Sequence, residues 1–471
     1  MSLFSNQRKT PEIGKDVLRY AGVALGGLAG GIGGLWLSRR LLQSVVGTLT
    51  SRLLTDPYQE NLWGFVSSSI RTPPMEIVET KLRAQEGKAL QRPFGSPRRF
   101  HAFEGLMFDM VMLDRLPTPG NVPVDTSVVL GKRAKRPLRL ELPVMVSGMA
   151  YGLALSERAK VALAKGTALA GTATNTGEGP FLPAERAAAR SLVIQYTRGS
   201  WNKEPEILRQ ADMIEIQFGQ GAQGAIGHRM QAKDIDATLR TSFGLQPGQD
   251  AIVEARQPGI TGSRELRRLV DDLRRETGGV PIGVKLGAGK GLERDLAIIL
   301  DAGVDYVAID GAGAATKGAP PILEDDFGLP TVYALCRAAR FVQREGLADR
   351  TSLIVMGGLA TPGDYLKALA LGADAVYIGT VALLALAHTQ IVKSLPWEPP
   401  TQLVWYRGAD QHEFNPDQGA KHLANYLLAC KEEMVEGVRA LGKQSVAEVN
   451  LDDLVALDQL TADITGATRA Y

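Results

Sequence analysis

The stretch SLIVMGGLATPGDYLKALALGADAVYIGT, residues 352–380, decides the fold. Its apolar start predicts a strand that stops at Gly357-Gly358. A helical pattern follows and ends at Gly372, and a second predicted strand, Ala375–Ile378, stops at Gly379-Thr380. Two successive parallel strands that finish in glycine-rich turns are typical of the phosphate site of a (β/α)8 barrel. Glycine suits this site because a phosphate must approach the backbone N–H groups closely.

From residue 142 onward the chain alternates between strand and helix patterns. Eight strands that alternate with helices over about 240 residues predict an α/β fold, the (β/α)8 TIM barrel. The predicted strands are Leu142–Ser147, Gly171–Asn175, Leu192–Tyr196, Met213–Phe218, Pro281–Leu286, Tyr306–Asp310, Leu353–Met356 and Ala375–Ile378. The clearest predicted helices are Glu157–Leu169, Arg264–Glu276, Leu292–Asp301 and Thr331–Gln343.

The sequence indicates four parts around this pattern. Residues 1–40 hold an apolar N-terminal segment, and residues 41–141 form a lead-in that we expect to pack on the outside of the barrel. The barrel itself is predicted over residues 142–390. Residues 391–471 predict a C-terminal helical extension that covers it.

Finer features lie within these parts. The lead-in begins with an amphipathic piece at Leu41–Leu54. The connection Gly219–Gly262 is too long for a simple loop, so we expect an insertion over the active-site face. The C-terminal extension contains two predicted covering helices, Asn425–Ala440 and Val446–Leu460.

An uncharged run, Tyr20–Ser38, is long enough to span a bilayer. Its glycines at Gly22, Gly26, Gly30 and Gly34 would line one helix face and let a second copy pack closely, giving a homo-oligomer. We expect a single-pass anchor over residues 20–38 in the cell membrane, with the barrel on the cytoplasmic side. Basic residues flank both ends, so they do not fix the orientation. A flexible glycine-rich segment and a cleaved signal peptide are the alternatives.

Composition sets further bounds. At 471 residues and 45% hydrophobic content, the chain can form one large domain with extensions. The net charge of +2, without a basic stripe interleaved with aromatic residues, gives no indication of a nucleic-acid partner. The two cysteines, Cys336 and Cys430, are too few for a disulfide framework or for the ligands of an iron–sulfur cluster.

Catalytic residues in this fold lie at the carboxyl ends of the strands, and here those ends carry mainly neutral hydrogen-bonding groups. Lys285 is the one lysine among them, and the absence of metal-ligand spacing disfavours metal-dependent hydrolysis. Such a lining suits a flat, heteroatom-rich ring such as a flavin, whose reduced form Lys285 would stabilise by charge. Besides Lys285, the residues at these ends are Ser147, Gly148, Met149, Thr172, Thr174, Asn175, Thr176, Gln195, Gln217, Gln220, Asp310 and Gly311.

Two alternatives stand beside the flavin interpretation. Gln195 and Gln217 could bond to each other as interior residues of the barrel. Lys285 could be the Schiff-base lysine of an aldolase-type barrel. Cys336 and Cys430 fall in helical patterns and are interpreted as packing residues.

Several motifs at these positions resemble the FMN-binding domain of the glutamate synthase family. They are GTATNTGEG (171–179), PVMVSGMAYGLALS (143–156), IEIQFGQGA (214–222) and the VKL that contains Lys285. The resemblance runs from about Phe103 to Leu386. It implies a (β/α)8 barrel that holds FMN non-covalently. It also implies the reductive conversion of 2-oxoglutarate and an ammonia-derived imine to glutamate.

The resemblance assigns roles to individual residues, and the strand-end analysis adds others. Lys285, Gln220 and Glu178 are the predicted catalytic residues, and Gly148 is expected to face the substrate with Gln220 and Glu178. The predicted FMN-binding residues are Ser147, Met149, Thr172, Thr174, Asn175, Gln195, Gln217, Lys285, Gly311, Gly357, Gly358, Gly379 and Thr380.

The chain also departs from the family pattern. His388, Ser394 and Pro399 stand where the family has three cysteines that hold a 3Fe–4S cluster, so we expect FMN and no iron–sulfur cluster. Gln223 replaces the family's lysine after GQGA, and Met356 replaces the aspartate before the glycine pair. The family's histidine-rich and sixth-strand motifs are altered as well, and we expect neither a glutaminase domain nor an NAD(P)H module.

These features predict an FMN-dependent oxidoreductase of the glutamate synthase-like class at a membrane, acting on CH–NH2 donors or in the reverse direction. Its substrate would be a small 2-oxo or amino acid, and its electron partner a ferredoxin-like protein or a quinone. The alternative is a catalytically degenerate flavin barrel that serves as a membrane-bound structural or partner-binding subunit, because several substrate-face residues have changed.

Overall fold

The computed structural model describes residues 36–57, 61, 63–92, 95–314, 316, 318–395 and 401–471. The chain forms two compact units, Met1–Ala89 and Leu90–Tyr471. In the first unit, helix covers residues 36–55, which include the predicted amphipathic piece. Two shorter helices, Trp63–Arg71 and Pro74–Glu86, follow it.

The predicted membrane anchor at residues 20–38 lies outside the described residues, except for its last three positions. Within the described ranges, none of the helices has both the length and the apolar character needed to cross a membrane. The anchor and the expected location at the membrane therefore stay predictions.

The second unit is built on eight parallel strands that curl into a nearly closed barrel. Each predicted strand overlaps an observed one, so the eight-stranded α/β barrel is confirmed. In chain-order numbering, the hydrogen-bonded order is β1-β8-β7-β6-β5-β4-β3-β2, so among the described barrel strands only the neighbours β1 and β2 have no ladder between them. The strands are β1 (Val144–Val146), β2 (Ala173–Asn175), β3 (Ser191–Tyr196), β4 (Met213–Gln217), β5 (Ile282–Gly287), β6 (Tyr306–Asp310), β7 (Ser352–Met356) and β8 (Ala375–Ile378).

Side-chain and loop contacts bridge the gap between β1 and β2. The Thr172 hydroxyl donates to the Val144 carbonyl at 2.7 Å and to the Leu142 carbonyl at 3.2 Å. The Glu141 N–H donates to the Gly171 carbonyl at 2.9 Å, just before both strands. The barrel is therefore closed at this seam by a threonine rather than by a strand ladder.

A helix follows each strand, and local caps fix several of their ends. The Ser156 hydroxyl accepts from the Ala159 N–H at the start of the first helix, and Thr361 with Asp364 forms a capping box at the seventh. The helices are α1 (Glu157–Ala170), α2 (Pro183–Ala188), α3 (Pro205–Leu208), α4 (Ser263–Glu276), α5 (Leu292–Asp301), α6 (Thr331–Arg344), α7 (Pro362–Ala370) and α8 (Thr380–Ala387).

The interior of the barrel is packed with apolar side chains from alternate strand positions. A hairpin formed by Val128–Leu130 and Leu138–Leu140 joins this core through its own leucines. Tyr306 and Tyr377 fill the middle of the barrel, and both are fully or almost fully buried. The barrel is therefore a solid core, as its fold class requires, and open space is left at one end.

The expected insertion between β4 and α4 contains a small hairpin and a helix. The hairpin strands are His228–Met230 and Ala251–Val253, and the helix between them is Ala237–Phe243. A 3-10 turn at Ala232–Asp234 and a short helix after β6, Pro321–Asp326, complete the loops of this face.

The C-terminal part begins with the short helix Thr401–Val404 and continues with a long helix, α9 (Pro416–Ala440), which contains the predicted Asn425–Ala440. The last helix is Gln459–Thr465. The 3-10 turns of this part are His388–Lys393, Gln411–Glu413, Val446–Glu448 and Leu451–Asp453.

The predicted helix Val446–Leu460 is wrong. Its centre is a strand, Leu454–Ala456, that pairs antiparallel with Leu106–Phe108 from the lead-in and parallel with Thr468–Arg469. Asn450 caps only a single 3-10 turn in front of this strand. Leu454 and Ala456 are buried on alternate positions, so strand pairing prevails over the helical periodicity of the segment.

A buried ion pair links α1 to α2. The Lys160 ammonium lies 2.9 Å from Glu185 Oε1, and both side chains are inaccessible to solvent. Lys160 also donates to the Asn175 carbonyl at 2.8 Å and to the Thr176 carbonyl at 3.4 Å. Burial lowers the pKa of Lys160 and raises that of Glu185, so each charge depends on the other.

We expect Lys160→Met to lower the free energy of unfolding by about 3–5 kcal/mol, because it leaves the Glu185 carboxylate buried without its partner. The control is Lys165→Met on the same helix, which removes an exposed pair with Asp417 worth about 0–1 kcal/mol. Urea unfolding of the full chain, followed by circular dichroism, measures both changes. Equal losses in the two variants would contradict the importance of the buried pair.

Candidate active site

A cavity of about 410 Å3 opens at the carboxyl ends of the barrel strands. Its wall includes Gln195 on β3, Lys285 on β5, Asp310 on β6 and the turns after β1, β7 and β8. This is the face on which active sites of the fold lie. The size falls within the about 300–1,000 Å3 that is usual for cofactor and small-ligand pockets.

The cavity brings together most of the residues predicted for the site. The predicted residues that line it are Ser147, Gly148, Met149, Glu178, Gln195, Gln220, Lys285, Gly357, Gly358, Gly379 and Thr380. The predicted residues that do not line it are Thr172, Thr174, Asn175, Gln217 and Gly311.

The residues outside the cavity wall have other surroundings. Thr172 bridges β1 and β2, as described above. Thr174 is fully buried on β2, and its hydroxyl has no hydrogen-bond partner among the described residues. The Gln217 amide reaches Gln220 Oε1 at 3.5 Å, and the alternative in which Gln217 bonds to Gln195 is not found among the described residues. Gly311 lies tight beneath the loops, since a Cβ there would stand 2.3 Å from the Thr331 hydroxyl.

Below the cavity, a buried carboxylate organises four strands. Glu215 Oε1 on β4 accepts from the Asn175 amide at 2.9 Å and from the Gln195 amide at 2.8 Å. Glu215 Oε2 accepts from the Tyr377 hydroxyl on β8 at 3.2 Å. Burial, together with the Glu215 charge, raises the pKa of Tyr377 well above its ordinary value, so Tyr377 stays a hydrogen-bond donor. Sequence reasoning missed Glu215, although a carboxylate in an apolar strand was a usable signal.

Lys285 and Asp310 form the charged pair of the inner wall. The Lys285 ammonium lies 3.6 Å from Asp310 Oδ2, and both side chains are nearly inaccessible to solvent. Burial raises the pKa of the Asp310 carboxyl, and the nearby ammonium of Lys285 opposes that change. Asp310 Oδ1 is buried and has no hydrogen-bond partner in the described part of the chain.

A second group of charged and titratable residues lies at the outer wall of the cavity. Of these residues, only Glu178 was predicted from the sequence. Arg198, fully buried after β3, donates to Glu178 Oε1 at 3.0 Å and to the Ala225 carbonyl at 2.8 Å. Glu178 Oε2 lies 3.6 Å from His228 Nε2, which comes from the insertion hairpin. Burial lowers the pKa of His228, and the charge of Glu178 opposes this, so the imidazole is neutral at pH 7. No periodic pattern marks Arg198 or His228 in the sequence.

The turn Gln220–Gly224 closes one side of the cavity. Its two ends exchange backbone hydrogen bonds of 3.1 and 2.8 Å. The Gln220 amide donates to Gln223 Oε1 at 2.7 Å and to the Thr316 hydroxyl at 2.9 Å. The predicted catalytic glutamine is therefore held between the loops after β4 and β6.

The two glycine turns meet at the opposite side. Gly357 has φ of +118°, and a Cβ there would lie 2.6 Å from the Thr331 hydroxyl and 3.0 Å from the Gly311 carbonyl oxygen. Helix α8 starts directly after Gly379 and has no side-chain cap. Its first-turn N–H groups therefore face the site without a competing side-chain acceptor, which is the arrangement that binds phosphate.

Comparisons with known proteins agree with this architecture. Residues 114–444 match the family model described as the conserved region in glutamate synthase. A glutamate synthase large subunit-like protein of Rhizobium meliloti (strain 1021) is 33% identical over 404 residues, covering 81% of this chain and 90% of that protein. An archaeal-type glutamate synthase (NADPH) of Thermotoga neapolitana is 31% identical over 332 residues, covering 69% of this chain and 63% of that protein.

Solved structures share the fold. A mutant of flavocytochrome b2 aligns with a TM-score of 0.51 at 17% sequence identity, over 90% of this chain and 93% of that chain. This likeness is evidence for the barrel alone. The family match, in contrast, spans most of the chain and includes every residue of the cavity wall. The chain therefore belongs to the glutamate synthase family, and its residues 114–444 correspond to the conserved region that forms the family's FMN-domain barrel.

Proposed function

We propose that this protein is an FMN-dependent oxidoreductase that interconverts a 2-oxo acid and the corresponding amino acid. The candidate reaction is the reductive amination of 2-oxoglutarate by ammonium to glutamate and water, which consumes two electrons and two protons. The observation that supports it is one cavity whose wall brings together the glycine turns after β7 and β8, Lys285 and Glu178, with Arg198 donating to Glu178 from outside the wall. Family membership supports the same class of reaction.

The residues present fit FMN. The Gln195 side-chain nitrogen donates to Glu215. Gln195 Oε1 is then a buried acceptor without a partner among the described residues. Asp310 Oδ1 is a second buried acceptor of this kind. A flavin ring has N–H groups and carbonyls along one edge, so it can satisfy such acceptors and also accept from Lys285.

The phosphate end has its own fit. Gly357, Gly358, Gly379 and Thr380 would hold the phosphate through backbone N–H groups, helped by the dipole of α8. The Gly379 turn leaves little spare room, because a Cβ there would approach the Ser147 hydroxyl to 3.2 Å.

Bound FMN supplies a carrier of a hydride and two electrons. Lys285 places a positive charge on the inner wall of the cavity. This charge would stabilise the reduced, more negatively charged form of the cofactor. The Glu178 carboxylate, held 3.0 Å from the buried Arg198 guanidinium, is suited to bind a substrate ammonium. His228 is neutral at pH 7 and can accept the proton that such an ammonium must release.

The electron partner and the membrane association belong to the same proposal. A ferredoxin-like protein or a quinone would deliver electrons directly to the flavin, without an iron–sulfur relay. Cys336 and Cys430 are both buried in helices, and burial raises their thiol pKa values to about 12 and about 11. Such thiols favour packing over ligation.

The proposed reaction is tested by anaerobic reoxidation of the photoreduced full chain. We expect 2-oxoglutarate plus ammonium to reoxidise the flavin and to yield glutamate, because the site holds both a carboxylate for the amino group and a hydride carrier. Glutarate plus ammonium, which lacks the 2-oxo group, is the control. A flavin that no combination of 2-oxo acid with ammonium or glutamine reoxidises would instead indicate the structural or partner-binding subunit.

We expect Lys285→Met to lower the two-electron reduction potential of the bound flavin by about 30–60 mV, which corresponds to the loss of an interaction worth about 1.5–3 kcal/mol. Replacing Lys290, an exposed lysine three residues beyond the end of β5, by Met should leave the potential unchanged. Spectroelectrochemical titration measures both. An unchanged potential in Lys285→Met would show that its charge does not act on the flavin.

Because the pKa of His228 is lowered, we expect kcat/KM to be constant near pH 7 and to fall only below the ordinary histidine value of about 6.5. Protonation at low pH removes the acceptor for the substrate proton. His228→Gln should reduce kcat by about 100-fold or more and abolish this acidic limb. The exposed His412→Gln is the control. A variant that kept the same pH profile would exclude His228 as the group that titrates.

A further inference from the structure

A second cavity, of about 530 Å3, lies beside the first and shares the Gln220–Gly224 turn as a wall. Gln223 lines the first cavity, Gly221 and Ala222 line the second, and Gln220 lines both. The second cavity is therefore separate from the proposed FMN site but reaches the same turn. Nothing in the proposed reaction uses it.

The wall of the second cavity is mainly apolar. Leu266 of α4 and Ile298 and Ile299 of α5 form one side, and Phe327 stands at the edge with more than half of its surface exposed. Most of the remaining wall is glycine and alanine backbone, which a flat ligand can approach closely. An open apolar cavity of this size is suited to an apolar ring compound.

One buried polar group in this wall lacks a partner. Gln257 is 3% exposed, and its Nε2 donates to the Tyr196 carbonyl at 3.0 Å and to the Gln217 carbonyl at 3.3 Å. These two carbonyls fix the amide orientation, because the reverse orientation would set its oxygen against them. Gln257 Oε1 is then a buried acceptor with no hydrogen-bond partner in the described part of the chain. A buried acceptor of this kind calls for a donor.

The wall of the second cavity carries one positive and one negative side chain. Arg256 and Asp295 are its charged side chains, they carry opposite signs, and both are exposed. The lining therefore favours a neutral ligand over an anion or a cation.

We propose that the second cavity binds a neutral apolar ring compound that carries one hydroxyl or N–H group, which donates to Gln257 Oε1. Phenols and naphthols are the simplest members of this class. The proposal does not depend on the chemistry of the first cavity, since the residues that carry it lie outside that cavity.

Gly289 allows a clean test. It lines the second cavity, its φ is not positive, and a Cβ built on it meets no atom within 4 Å. Gly289→Leu should therefore fill the cavity without disturbing the fold. Gly120, in an exposed turn, has the same freedom around its Cβ, so Gly120→Leu is the matched control.

The experiment is calorimetric titration of the FMN-saturated full chain with 2-naphthol, and with 2-methoxynaphthalene, which has the same rings but no donor. We expect 2-naphthol to bind once per chain. Binding of 2-methoxynaphthalene should be about tenfold weaker, since it leaves Gln257 Oε1 unpaired. Gly289→Leu should weaken 2-naphthol binding by at least tenfold, whereas Gly120→Leu should not change it.

Three outcomes would overturn the proposal: no saturable binding of 2-naphthol, equal affinity for the two ligands, or equal affinity in wild type and Gly289→Leu. Circular dichroism and flavin content of the two variants establish that a change in affinity does not come from a change in folding.

Discussion

The arrangement of the site depends on one buried carboxylate. Glu215 lies inside the barrel, inaccessible to solvent, and accepts hydrogen bonds from Asn175, Gln195 and Tyr377, which stand on three other strands. A buried carboxylate is costly unless donors surround it, so the four strands must keep one register for the network to form. That register leaves Gln195 Oε1 buried and without a hydrogen-bond partner among the described residues. The floor of the site is therefore fixed by the core of the barrel.

Charge is arranged in two layers above this floor. Lys285 and Asp310 form a buried pair on the inner wall, and Arg198 holds Glu178 on the outer wall beside His228. The inner pair suits the electronics of a flavin, and the outer group suits a substrate with an amino group. The loop between β4 and α4 supplies His228 and Gln220, and it also separates the site from the second cavity. A single segment thus borders both the proposed FMN site and the second cavity.

Most of the fold could be predicted from the sequence because its signals are local. Strand runs that end in Gly357-Gly358 and Gly379-Thr380 marked two turns of the cavity wall, and each predicted barrel strand overlaps an observed one. Residues whose role depends on distant partners could not be read in this way. Arg198 and His228 meet Glu178 only after the insertion folds back, and the strand Leu454–Ala456 is determined by pairing with the lead-in.

The central claim is that this cavity holds FMN non-covalently. It is tested most directly by the visible spectrum of the purified full chain, followed by acid release and identification of the cofactor. The account predicts flavin absorption and about one FMN released per chain. A colourless protein that binds no added FMN would contradict it.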